Sequence, residues 1–283
     1  MKVFDPVEYK MSSKTNWNAM AGEYHRNWAD GSIGPFMSTA EVVRLAEINP
    51  SDRVLDLACG TGALSRQVIP HLGDDGRVYG VDFSRTALSI ARKFVNSHKA
   101  NFFEMDAENI GFAFSFDKVI CQYGLMFFPD VGRVLKDAKN LLKNEGRIVL
   151  AVHGTAEEVP YFSSIMKPIL EHVPEIRPKG SPNVHRFGNP PDLEKEIISA
   201  GFSDLTIKKH LFSFEVGTFD DYWYDYMHST ASSIRHTIES LGEKTLSSIK
   251  QKSEENIAPY LRGNTIVFPW TVIIASGRKP RFD

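Results

Sequence analysis

The sequence predicts an α/β protein: a doubly wound, mostly parallel sheet of seven strands, with a helical N-terminal lid and inserted helical cap segments. Three observations carry that expectation. The run Val54-Leu55-Asp56-Leu57-Ala58-Cys59-Gly60-Thr61-Gly62 reads as a buried strand that meets a tight glycine turn and opens a helix. Apolar runs and amphipathic segments then alternate from Arg53 to Val152, the rhythm of parallel strands joined by crossover helices. Finally, 283 residues with 42% hydrophobic and 24% charged content suit a soluble globular chain with one large core.

Ahead of the glycine turn, Trp17, Met20, Tyr24 and Trp28 are spaced by three and four, so they share one helix face. That stripe serves either as core packing or as a lid over a bound ligand. A second helix is expected from Pro35 to Ile48, stopped by Asn49-Pro50. The first strand ends near Ala58, and its helix, with Leu64, Val68, Ile69 and Leu72 on one face, runs to about Leu72. The turn Gly73-Asp74-Asp75-Gly76 leads to a second strand, Arg77 to Asp82, and Ser84 is placed to cap the next helix. Strand three covers about Ala100 to Met105 and strand four Phe116 to Cys121. A helix after Pro129-Asp130 turns Val131, Val134, Leu135 and Ala138 inward, and Asn144-Glu145-Gly146 leads to strand five, Arg147 to Val152.

After His153 the alternation breaks. Six prolines between 154 and 190 surround a helix expected at Tyr161 to Glu171, which reads as an insertion over the sheet. A helix from Pro191 to Ala200 ends at Gly201, a strand follows from about Asp204 to Val216, residues 218–258 are expected to be helical, and Thr265 to Ala275 forms the last strand before a basic tail. The organisation expected is a lid over 1–50, a core over 51–153, a cap insertion over 154–190, and the rest of the core over 191–283 with a second cap at about 218–258, all in one globular unit.

A formal charge of −2 supplies no reason to expect nucleic acid or an anionic membrane as partner. Two cysteines, Cys59 and Cys121, make no disulfide framework and fit a reducing, cytoplasmic setting. Met1 to Asn18 has no apolar stretch of the signal-peptide kind, and no run approaches the roughly 20 residues that span a bilayer. No histidine pair has zinc-helix spacing, so no metal is expected. The oligomeric state is not legible in the residues.

Three aspartates close predicted strands: Asp56, Asp82 and Asp106. Asp82 stands 20 residues after Gly62, where a carboxylate can accept from both hydroxyls of a ribose. A dinucleotide fingerprint would place a third glycine where this chain has Ser65, and no phosphate loop with its lysine exists. What remains is a turn suited to an adenosine cofactor without phosphates.

At these residues the sequence resembles the class I S-adenosylmethionine (SAM)-dependent methyltransferases, whose core is Rossmann-like. Val54 to Gly62 is similar to that family's first motif, and Val81-Asp82-Phe83-Ser84, Met105-Asp106-Ala107 and Phe116 to Gln122 to its later ones. The run Cys121 to Asp130 resembles the ubiquinone/menaquinone-biosynthesis-like branch of small-molecule methyltransferases. The one departure is Ala58, where many members carry glycine. The resemblance implies SAM as cofactor, with Asp56 orienting the turn near the methionine amino group and Ala58, Gly60 and Gly62 forming the close backbone. Asp82 would hold the ribose, with Ser84 beside it and Phe83 packing on the adenine. Asp106 and Ala107 would contact the adenine edge, Gln122 would lie near the methionine end, and Tyr24 would touch the cofactor from the lid.

Methyl transfer from a sulfonium needs alignment of a nucleophile above all, with a base where that nucleophile is an oxygen or carbon of high pKa. His153, at the end of strand five, is the best-placed candidate; His185, His210, His228 and His236 are weaker ones. Trp17, Trp28, Tyr123, Phe127, Tyr222 and Trp223 are candidates for the wall of an acceptor pocket. The expected function is methylation of an oxygen or carbon of a small organic molecule. Non-methyl chemistry such as a cyclisation, or a silent SAM-binding module, stays open as an alternative.

Overall fold

The computed structural model describes residues 3–281; the first two residues, and the last two of the expected basic tail, lie outside the described residues. Its centre is β1 (Arg53–Leu57), in which Val54, Leu55 and Leu57 are buried among the core. The chain then adds β2 (Arg77–Asp82), β3 (Ala100–Glu104), β4 (Phe116–Gln122), β5 (Leu142–His153), β6 (Ser203–Gly217), a two-residue β7 (Leu261–Arg262) and β8 (Thr265–Arg278). They form one sheet in the order β3-β2-β1-β4-β5-β8-β6, with β7 paired to β8. Strands β1 to β5 pair in parallel, and β8 runs antiparallel between β5 and β6. The strand order reverses at β1, between β2 and β4, so the crevice that such a sheet offers a ligand opens at the carboxyl ends of these three strands.

The helices are α1 (Pro6–Tyr24), α2 (Thr39–Ala46), α3 (Ala63–Val68), α4 (Arg85–Val95), α5 (Val131–Leu141), α6 (Pro160–His172), α7 (Pro190–Ser199), α8 (Phe219–His228), α9 (Arg235–Glu239) and α10 (Glu243–Ile257). Several differ from the sequence expectation for local reasons. Helix α1 starts well before Trp17, because Pro6 occupies its first turn and Asp5 accepts from the backbone N–H of Val7 and Glu8. Past Tyr24 it loosens into a wide turn, His25–Ala29, that swings Trp28 into the core against Tyr161, Phe214 and Trp270. Gly34, at φ +55°, folds over that indole so closely that a Cβ would lie 2.3 Å from it. The helix expected from Pro35 to Ile48 is a 3-10 turn followed by α2. The helix after the glycine turn ends at Val68, because Pro70 cannot donate to a continuing ladder, and a short 3-10 turn completes it. Residues 218–258 are helical as expected, divided into α8, α9 and α10, and β7 adds an eighth strand to the seven expected.

The two segments expected as caps pack together. Lys252 of α10 reaches Glu171 of α6 at 2.8 Å, and Asn256 Nδ2 donates to the Ser164 carbonyl. On α8, Tyr222 and Tyr226 are buried and donate to the carbonyls of Tyr161 and Phe162 at the start of α6. Among the described residues no helix is long and apolar enough to cross a membrane. Cys59 and Cys121 are both buried and free.

Candidate active site

The glycine turn is held by hydrogen bonds to β2. Cys59 N–H donates to the Val81 carbonyl at 3.0 Å, and Gly60 N–H to Asp82 Oδ2 at 2.9 Å. Asp82 Oδ1 accepts from Ser84 N–H at 2.8 Å, so one carboxylate joins the turn to the start of α4, whose N-cap is Ser84 as the sequence predicts. Ala58, Gly60 and Gly62 all have left-handed backbone, at φ of 52°, 54° and 89°. At Ala58 the Cβ makes that conformation cost roughly 1–2 kcal/mol, strain of the kind concentrated at ligand sites. Gly62 does not line the cleft. A Cβ there would lie 2.8 Å from Val95 Cγ2, so this glycine serves the close packing of α3 on α4.

Asp56, a buried carboxylate in an apolar strand, accepts from Ser65 Oγ at 2.6 Å. The residue that replaces the third glycine of the dinucleotide pattern is thus the donor that holds this carboxylate. Burial raises the Asp56 pKa to about 7, with the neighbouring Asp82 charge adding to the rise and the Ser65 hydrogen bonds opposing it. Burial also raises Asp82, against the backbone donors of Ser84, Gly60 and Phe83. Among the described residues no cationic side chain hydrogen-bonds or ion-pairs with either. Two buried acids side by side with no cation between them make a site that favours a positively charged ligand.

Phe83, Met105, Ala107 and Leu64 supply the apolar walls of this cleft. Asp106 closes it, but both of its oxygens are engaged: Oδ2 accepts from Lys10 Nζ at 2.6 Å and Oδ1 from Glu108 N–H at 2.9 Å. Lys10 also reaches Glu108 at 3.0 Å, and Asn18 Oδ1 accepts from Ser84 Oγ and Thr86 N–H. Helix α1 is therefore tied across the mouth, with Tyr9, Lys10, Ser13 and Trp17 in the wall. Sequence reasoning missed Tyr9, Lys10, Ser13 and Ser65. The first three lie in a polar stretch without apolar periodicity, and the signal for Lys10 is a partner 96 residues away.

At the other end, Gln122 Nε2 donates to Ser38 Oγ at 3.0 Å and its Oε1 accepts from Thr39 Oγ1 at 3.2 Å. Tyr123, next along, lies at φ +62° with its hydroxyl on the Pro35 carbonyl and its ring stacked 4.3 Å from that of His153. Beyond it opens a second space of about 650 Å³, within the range of small-molecule sites. Tyr9, Ser13, Trp17, Tyr24, Tyr123 and Phe127 line both spaces and form the partition between them. Trp28, Phe162, Trp270 and Tyr226 make the chamber aromatic, and His153 and His185 lie in its wall.

The structure thus brings together Tyr24, Asp56, Ala58, Gly60, Asp82, Phe83, Ser84, Asp106, Ala107 and Gln122 around the cleft, and Trp17, Trp28, Tyr123, Phe127 and His153 around the chamber. Tyr222 and Trp223 line neither, which corrects the sequence expectation for both. Tyr222 is wholly buried against Tyr161 and Phe268, and Trp223, one residue round the helix, lies beneath Lys250; Tyr226, a turn further on, faces the chamber instead. His210 on β6, His228 on α8 and His236 on α9 also lie outside both spaces. Among the described residues no group of three or more His, Cys, Asp or Glu side chains is arranged to hold a metal ion.

Sheet order, switch-point cleft and glycine turn define a Rossmann-like α/β protein. A family model described as "Methyltransferase domain" matches residues 48–180. Aklanonic acid methyltransferase DauC of Streptomyces sp. (strain C5) is 31% identical over 179 residues, covering 58% of this chain and 80% of that protein. The 2-phytyl-1,4-naphtoquinone methyltransferase of Trichormus variabilis is 25% identical over 222 residues, covering 72% and 90%. Among solved structures, the YcgJ protein of Bacillus subtilis superposes with a TM-score of 0.57 at 19% identity, covering 86% of this chain and 98% of that one. This chain belongs to the class I SAM-dependent methyltransferases, and its resemblance to the quinone-biosynthesis-like branch holds.

Proposed function

We propose that the chain binds SAM in the cleft at the ends of β1, β2, β3 and β4, and transfers its methyl group to an oxygen or carbon of a small apolar molecule in the chamber. The observation that carries this reading is the buried Asp56–Asp82 pair, which has no cationic partner among the described residues and lies in a cleft that shares a wall with the aromatic chamber. A ligand bearing a sulfonium and an ammonium fits that acidic end, and its adenine fits between Phe83, Met105 and Ala107. In this reading Asp82 accepts from the ribose hydroxyls while keeping its two backbone donors, because a carboxylate offers about four lone-pair sites. Gly60 leaves the backbone open: nothing lies within 4 Å of where its Cβ would be. Ala58 and Gln122 border the methionine end.

When bound, SAM supplies an electrophilic methyl group. The residues of the chain supply alignment and exclusion of water: Tyr24, Trp17 and Phe127 stand between cleft and chamber, and α1 covers both. Fixing two reactants in line at van der Waals distance can contribute on the order of 7–11 kcal/mol of barrier reduction at the upper end. The relatives named above are an aklanonic acid methyltransferase and a 2-phytyl-1,4-naphtoquinone methyltransferase, and an apolar, ring-bearing acceptor suits the aromatic chamber here. Calorimetry with SAM tests the cofactor assignment. Binding is expected, and Asp82→Asn is expected to weaken it about tenfold or more, since hydrogen bonds to a charged group are worth about 1.5–3 kcal/mol; unchanged affinity would remove Asp82 from the ribose.

A further inference from the structure

The aromatic chamber is not wholly apolar: the charged side chains Lys167, Glu171 and Arg177 lie in its wall. Glu171 is ion-paired with Lys252 at 2.8 Å. Lys167 is exposed, and its charge falls on two carboxylates, Glu157 and Glu171. Arg177 is different. It is half-buried, and among the described residues its guanidinium makes no hydrogen bond, ion pair or aromatic contact. Its nitrogens are not closed off either, since the buried side-chain atoms without a partner are Arg147 Nε, Tyr161 Oη and His185 Nε2. The two imidazoles of the wall, by contrast, are taken up by the fold. His185 Nδ1–H donates to the Gly154 carbonyl at 2.8 Å, and His153 Nδ1 accepts from Trp270 Nε1–H at 3.3 Å.

The backbone fixes Arg177 on both sides. It follows the 3-10 turn Pro174–Ile176 in extended conformation, at φ −123° and ψ 99°. Before it, Ile176 N–H donates to the Val173 carbonyl at 3.2 Å. After it, Ser181 donates to the Pro178 carbonyl through both N–H, at 3.0 Å, and Oγ, at 2.7 Å. Lys179 adds a bridge to Val3. The guanidinium also stands within electrostatic reach of three elements. Burial raises Tyr9 on α1 and Tyr226 on α8 and lowers His185; the Arg177 charge opposes both rises and adds to the fall. A cation is thus set in a wall shared with Trp28, Phe162 and Trp270, and the one carboxylate of that wall is committed to Lys252. A guanidinium partly out of water without a counter-ion is a costly arrangement.

Resting on the reading of the chamber as the acceptor site, we propose that the methyl acceptor is a ring-bearing carboxylic acid whose carboxylate is held by Arg177. The planar fork of a guanidinium matches the two oxygens of a carboxylate, and one fork meets one negative charge, which suits a carboxylate better than a phosphate dianion. The two spaces then carry opposite signs for two ligands. Asp56 and Asp82 receive the cationic cofactor in the cleft, and Arg177 receives the anionic acceptor in the chamber. A neutral ring compound fills the same aromatic walls but leaves the guanidinium without a counter-ion, so it is the weaker ligand.

Calorimetry on the whole chain saturated with S-adenosylhomocysteine tests this, with anthraquinone-2-carboxylate and its neutral isostere anthraquinone-2-carboxamide as probes. The carboxylate is expected to bind about tenfold or more tightly than the amide, the gain of a charge-assisted pair. Arg177→Gln and Arg177→Met are each expected to remove that preference while changing the amide affinity by less than about threefold, which shows that the chamber is intact. Lys167→Met is expected to leave the preference in place. Equal affinity for the two probes in the native chain overturns the proposal and leaves the chamber standing as the acceptor site. So does a preference that survives Arg177→Gln or that is lost only in Lys167→Met. If neither probe binds while S-adenosylhomocysteine still titrates, the reading of the chamber fails and the proposal falls with it; loss of S-adenosylhomocysteine binding in the native chain is the failure of the cofactor reading itself.

Discussion

Asp56 supplies the sharpest test of the electrostatics, because its raised pKa ties cofactor binding to pH. A carboxyl with a folded pKa of about 7 binds its proton more tightly in the folded chain than an aspartate does at its ordinary value of 3.8. Its contribution to stability is therefore present below the ordinary aspartate value and is lost as pH rises through about 7. Binding of a cationic ligand has the opposite dependence, since it uses the ionised form. The ionised fraction rises from about 3% at pH 5.5 to about one half at pH 7 for a pKa of about 7, so SAM affinity is expected to rise about fifteenfold across that interval. Staying at or below pH 7 keeps the ligand's own amino group protonated. Calorimetry in two buffers of different ionisation enthalpy would also register a proton released on binding. In Asp56→Asn the slope is expected to vanish and the affinity at pH 7 to fall below that of the native chain. An affinity that is flat or falling from pH 5.5 to 7 in the native chain would refute the reasoning.

Two other outcomes follow from the same geometry. Ser65→Ala removes the 2.6 Å donor to Asp56 and leaves a buried carboxylate short of a partner, at a cost of about 1–3 kcal/mol in chemical denaturation; it also removes a bond that lowers the Asp56 pKa, so the midpoint of the pH dependence moves upward. Lys10→Ala cuts the tie between α1 and Asp106 and Glu108. These groups are partly exposed, so global stability is expected to change by less than about 1 kcal/mol, while amide exchange over Pro6–Tyr24 and SAM dissociation both speed up; unchanged exchange would show that the tie does not hold the helix.

What proved legible in the residues was local. Val54, Leu55 and Leu57 mark β1 by their own apolar run, Pro129-Asp130 marks the start of α5, and Ser84 caps α4 through an N–H three residues on. The glycine turn was legible for the same reason, since its left-handed backbone depends on side chains within it. The start of α1 was not, because Lys10 and Lys14 lie in a stretch without apolar periodicity and acquire meaning only when the end of β3 and the turn after it bring Glu104 and Asp106 beneath them. Tyr222 and Trp223 could not be told from Tyr226 without the rotation of α8 about its axis.

The sequence by itself determined the α/β alternation, the glycine turn and the aspartates that close β1 and β2, because strand burial, turn conformation and helix capping act over a few residues. Only the tertiary structure decided which histidine nitrogen carries a lone pair. Gly154 and Trp270 stand 31 and 117 residues from the rings they bind, and a tautomer is chosen by whichever donor or acceptor the folded chain sets beside it.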